Sequence, residues 1–159
     1  MKKPWLAIIG LGLISTLFLA AQDLVKVEAS IVPLRLSRGQ EGKVILRVSL
    51  KSGIGVSAQP SFVIEFDPSD ELIFPKNFFT ASDLNIEVVE DGGKEYLQLK
   101  KPVEISFAVS PKAARGVHTL EGRVKYFATS AKDGWCLKST ARFSARYSTN
   151  ALPLIKKFP

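Results

Sequence analysis

Few side chains in this sequence could do chemistry, and they are sparsely placed. Cys136 is the only cysteine and His118 the only histidine among 159 residues. A Cys–His nucleophile pair needs those two in contact, and a zinc site needs three or four such ligands. Counting along the intervening strand-like run places His118 at the end far from Cys136. Asp67, Asp70 and Glu71 are the densest carboxylates, and beside Pro68 they read as solvated loop charge. No glycine-rich phosphate cradle and no nucleophile elbow is present. No metal and no cofactor is expected, and a non-catalytic role is favoured over an enzymatic one. A single cysteine forms no disulfide within the chain, so its thiol is left for the core, a cap or a partner.

Cys136 is positioned by the stretch 120–147, two alternating runs joined by 128–134. In the first, Leu120, Gly122, Val124 and Tyr126 oppose Glu121, Arg123 and Lys125. In the second, Leu137, Ser139, Ala141, Phe143, Ala145 and Tyr147 oppose Lys138, Thr140, Arg142, Ser144 and Arg146. Successive strand side chains point to opposite faces, so each run is a strand with one wet face. Parity groups Cys136 with Lys138, Thr140 and Arg142 on the wet face, and a bulge at the strand start would turn it inward. Two readings stay open. Cys136 is a small buried apolar residue, or it is an exposed thiol in the electropositive surroundings that Lys132 and Lys138 supply to a reactive cysteine.

The rest of the chain reads as further strands. Val25, Val27, Ala29 and Ile31 alternate up to Pro33, and Val44, Leu46, Val48 and Leu50 alternate after a turn at 37–42. Residues 52–60 read as loop, and Phe62, Ile64 and Phe66 as a short strand stopped by Asp67-Pro68. The segment 69–84 has neither strand nor helix period; with Leu72, Ile73, Phe74, Phe78 and Phe79 it is a packed loop or an exposed contact surface. Asp91-Gly92-Gly93-Lys94 between 86–90 and 95–100 is a hairpin signal. Val103, Ile105, Phe107 and Val109 alternate next. Eight or so strands without crossover helices predict an all-β protein, an antiparallel immunoglobulin-like β-sandwich over 22–149, with a fraying tail at 150–159.

Residues 1–21 match an export leader: Lys2 and Lys3, an apolar run from Trp5, and small residues at Ala20 and Ala21. The run also sits at the short limit for spanning a bilayer, so the leader is cleaved or retained as an N-terminal anchor. An exported protein, periplasmic or extracellular, follows. The formal charge is +7 from 22 basic and 15 acidic residues. The basic groups lie along the wet faces of strands without a dense cluster, which predicts solvated faces and no nucleic-acid partner.

The motifs 116–122 (GVHTLEG), Tyr126-Phe127-Ala128 and Gly134-Trp135-Cys136-Leu137 resemble the closing third of the N-terminal periplasmic domain of the thiol:disulfide interchange protein DsbD. The resemblance implies an immunoglobulin-like periplasmic domain whose two cysteines shuttle between dithiol and disulfide. Cys136 matches the second of them. The first would fall at Thr129 or close by, where no cysteine stands, and Lys138-Ser139 replaces the family's common prolines. Exchange passes through a mixed disulfide that a second thiol normally resolves, so this chain is not expected to complete the cycle alone. The resemblance also suggests a cap-like loop at Phe74, Phe78 and Phe79. The expectation is a non-catalytic binding or accessory module with a protein partner in the cell envelope, touching the membrane only through an uncleaved N-terminal segment. Its contact surface would be the loop 128–137 with Tyr126, Thr129, Trp135 and Leu137. The alternative is a single-cysteine thiol:disulfide redox protein that uses Cys136 with a partner's resolving thiol, and a third is a sandwich whose edges pair with another chain.

Overall fold

A computed structural model describes residues 24–153; the expected leader and residues 154–159 lie outside them. The strands are β1 (Val25–Val32), β2 (Arg35–Arg38), β3 (Glu41–Leu50), β4 (Ile54–Val56), β5 (Val63–Phe66), β6 (Leu72–Ile73), β7 (Phe78–Thr80), β8 (Val88–Asp91), β9 (Lys94–Leu97), β10 (Val103–Val109), β11 (Gly116–Ser130) and β12 (Trp135–Pro153). They form one sheet in the order β1-β3-β10-β6 and a second in the order β2-β12-β11-β5-β7, with β4 also on β11 and β8-β9 as a separate ribbon. All ladders are antiparallel except β2 on β12, where the chain, having left β1, runs parallel to the last strand. The spatial order is that of the two sheets of an immunoglobulin-like sandwich. The all-β reading of the sequence holds.

Alternation is what builds the core. In β10 Val103, Ile105, Phe107 and Val109 are buried, and in β11 every even-numbered residue from Leu120 to Ser130 is buried. Residues that share parity face the opposite sheet and exclude water along its length. An aromatic set joins the layers: Phe66 stacks on Phe74 with ring centres 4.1 Å apart and meets Phe143 edge-on at 5.8 Å, while Phe74 reaches Phe107 of the other sheet at 5.7 Å.

Three segments differ from their sequence reading. Segment 69–84 holds two very short strands: after β5 the chain adds β6 to the edge of the first sheet and returns as β7 beside β5. Pro68 and Pro75 flank β6 at these two crossings, and strands of two and three residues cannot display a period. Segment 52–60 holds β4, paired with the end of β11. The last strand does not stop at 149, because β2 pairs with β12 from Ser148 to Pro153. The 91–94 hairpin is present as β8-β9, with Gly92 and Gly93 at φ of 59° and 77°, the positive values a tight two-residue turn requires.

Candidate functional site

The β11–β12 hairpin carries the thiol. Its register runs unbroken from Gly116↔Thr149 to Ser130↔Trp135. What reads as a loop at 128–137 is therefore mostly ladder, and only residues 131–134 turn. Asp133 secures that turn: its backbone N–H donates to Ser130 Oγ at 3.2 Å, and Ser130 Oγ donates to its carboxylate at 3.3 Å. Cys136 stands directly opposite Thr129, and it is exposed. No bulge interrupts the strand start, so Cys136 keeps the parity of Lys138 and Arg142 and faces outward.

His118 pairs with Tyr147, eleven rungs from Cys136, roughly 35 Å at about 3.4 Å per residue. Its Nε2 lies 2.8 Å from the Ala114 carbonyl and 2.9 Å from Thr149 Oγ1, with the ring against Tyr147. A Cys–His nucleophile pair does not form. His118 instead fixes the turn into β11.

A cleft of about 520 Å³ opens beside the thiol. Thr129 and Cys136 form its floor, Ser57 and Gln59 one wall, and β8-β9 its roof through Glu90, Lys94, Glu95 and Tyr96. The ribbon is tied down at one side: Tyr96 bridges to Ser57, and the Ala58 N–H donates to the Glu95 carbonyl at 3.1 Å. Gly55, opposite Thr129 on β4, makes this possible. A Cβ there would stand 2.8 Å from Tyr96 Cδ1, so only glycine lets the ring lie so close to the strand. The thiol thus lies on an outward sheet face under a flap of mixed charge, reachable from solvent.

Several sequence-based site expectations need correction. Tyr126 is 3% exposed, because it shares the inward parity of Leu120 and Val124, and it offers no contact surface. Leu137 shares that inward parity yet is 55% exposed. On the side of β12 away from β11 no strand pairs with it until β2 begins at Ser148, so Leu137 is flanked on one side only. Trp135 is half-buried against the core. The aromatic segment does not cap Cys136. Phe79 and Phe78 are level with Val124 and Arg123 through β5, five and six rungs from Thr129, or about 17–20 Å. Phe79 is buried, Phe74 is stacked on Phe66, and only Phe78 is exposed. The element over the thiol is β8-β9, whose turn is legible in the sequence; its docking through Tyr96 and Gly55 is a long-range contact that no local pattern signals.

No protein-family model matches the sequence, and no curated protein matches it. Among solved structures, the seventh ScaB type I cohesin from Pseudobacteroides cellulosolvens is similar over 84% of this chain and 98% of that one, at 15% identity and a TM-score of 0.46. A cohesin module from a Clostridium perfringens family 33 glycoside hydrolase is similar over 80% and 97%, at 13% identity and a TM-score of 0.40. AggA, the major subunit of Escherichia coli aggregative adherence fimbriae type I, is similar over 79% and 95%, at 16% identity and a TM-score of 0.37. These likenesses concern the fold alone.

Proposed function

We propose that the chain is an exported, non-catalytic binding or accessory module of envelope thiol–disulfide or assembly processes, related to the N-terminal domain of DsbD, whose contact surface is the end of the β11–β12 hairpin and the cleft beside it. One observation carries this reading: the lone thiol sits outward on the Thr129–Cys136 rung, at the floor of an open cleft, where a second sulfur would have to stand and does not. A thiolate at Cys136 attacking a partner's disulfide forms one Cys136–partner S–S bond and releases the partner's other sulfur as thiolate. With no neighbouring thiol, the mixed disulfide stays until an outside thiol attacks it. Exposed Leu137 and half-buried Trp135 border the same end and supply apolar contact. The leader at 1–21 supports export.

The same exposure favours a second reading, a redox protein that borrows its resolving thiol from the partner. Trapping with an alkylating agent in cells, without reductant, followed by intact-mass measurement separates the two. Fully alkylated Cys136 with no protein adduct, together with an unchanged partner association in Cys136→Ser, supports the binding module. A specific covalent partner lost in Cys136→Ser supports the redox reading. Partner association that survives both Trp135→Ala and Leu137→Asp removes the hairpin end as contact surface. Fractionation finding the chain in the cytoplasm with residues 1–21 attached removes export.

A further inference from the structure

Strand pairing gathers basic groups that look scattered in the sequence. The outward side chains of β12 are Lys138, Thr140, Arg142, Ser144, Arg146 and Ser148, cation and hydroxyl in turn. β11 sets Arg123 directly opposite Arg142, and β2 sets Arg35 opposite Ser148. Like charges facing each other across a rung are destabilising. Glu65 answers part of this charge, accepting from Arg123 Nε and Lys125 Nζ at 2.7 Å each. Arg35, Lys138, Arg142 and Arg146 make no ion pair among the described residues. The row ends beside Val117, which pairs with Ser148 and is 65% exposed.

The opposite charge lies on the same chain. The β8-β9 ribbon and its approach carry Glu87, Glu90, Asp91 and Glu95 against Lys94 alone, all exposed and without an ion pair among the described residues. Val88 and Val89 stand exposed between these carboxylates. The ribbon overlies the Thr129–Cys136 end of the basic face, ten residues or roughly 34 Å along β12 from Arg146, so it cannot answer that far end itself.

We propose that this face is a docking surface for a second copy of the chain. Two copies laid face to face about a two-fold axis, with their β12 strands antiparallel, bring each acidic ribbon onto the other's Arg142, Arg146 and Arg35. Val88 and Val89 then meet Val117. The contact is self-complementary, so it closes as a dimer. A single-stranded nucleic acid would instead ask for exposed aromatics between the cations, and this row presents hydroxyls.

Sedimentation of the full chain in low and high salt tests the proposal, with Arg142→Glu/Arg146→Glu and Glu90→Arg/Glu95→Arg as variants. These positions are exposed, and unchanged circular dichroism confirms folding. A dimer in low salt, weakened about tenfold or more at high salt, is expected from screening of exposed charges. Each doubly reversed variant alone should be monomeric, and an equimolar mixture should dimerise again, since both contacts become complementary. A chain that stays monomeric at about 100 μM in low salt overturns the proposal, whatever anionic vesicle or polyanion it binds. So does a dimer indifferent to salt and to both reversals, or a mixture that does not recover.

Discussion

Tyr96 decides how open the thiol is. Its ring lies over Gly55 beside Thr129, and the ribbon that carries it roofs the cleft over Cys136. Tyr96→Ala should raise the alkylation rate of Cys136 several-fold while leaving the melting temperature within a few degrees, because the residue is only half-buried. Gly55→Val, which drives a side chain into the same ring, should do the same and loosen the ribbon. Equal rates in all three proteins would dissociate the ribbon from the thiol. At the other end of the sheet, Asp83 accepts from Lys76 Nζ and from the backbone N–H and hydroxyl of Thr80. These bonds, Lys76 foremost, lower its carboxyl from 3.8 to about 2. The folded-state value is depressed, so the contribution is present above the unfolded value and lost as pH falls through about 2. Asp83→Asn should flatten the acid limb of a stability–pH curve between pH 4 and 2, and an unchanged limb would show that Asp83 does not anchor the turn after β7.

Among the elements, the aromatic set around β5 and β12 does the most to hold the two layers together. Phe143 is buried and meets Phe66 edge-on. Phe143→Ala should cost about 3–5 kcal/mol, the usual range for a buried aromatic truncated to a cavity, read from urea unfolding. Phe78→Ala, on an exposed ring, should cost well under 1 kcal/mol. This contrast also marks what was legible in the sequence. Long strands such as β3, β10, β11 and β12 carry enough alternating positions to declare both strand and face, and the parity of Cys136 follows from them. Short elements do not. β4, β6 and β7 are two or three residues long, and their place is set by partners far off in the chain. Phe74, Phe78 and Phe79 therefore read as one aromatic string, whereas the fold spends one on Phe66, one on the core and one on solvent. Leu137 is the reverse case: its parity is right and its burial is not, because parity says nothing about whether a neighbouring strand is there.

For the whole molecule, one sheet face carries both the thiol at one end and the unpaired cations along the other, with the acidic ribbon standing between solvent and the first. Sequence order hides this arrangement, since β8-β9 and β12 are far apart along the chain and meet only through β4. The sandwich is rigid scaffold, and what varies at its open end is a single sulfur without a companion. Adding a companion is a direct check on the geometry: Thr129→Cys should form a disulfide with Cys136, because residues opposite each other in an antiparallel pair have Cα atoms about 4.5–5.5 Å apart. Its failure under oxidising conditions would put the register in doubt.

The account rests on stoichiometric rather than cyclic use of Cys136, and its most direct test is the reaction of the purified chain with an excess aromatic disulfide and no other thiol. One thiolate released per chain, with a mixed disulfide at Cys136 seen by mass and no further release, is the predicted result. Continued release beyond one equivalent would contradict it.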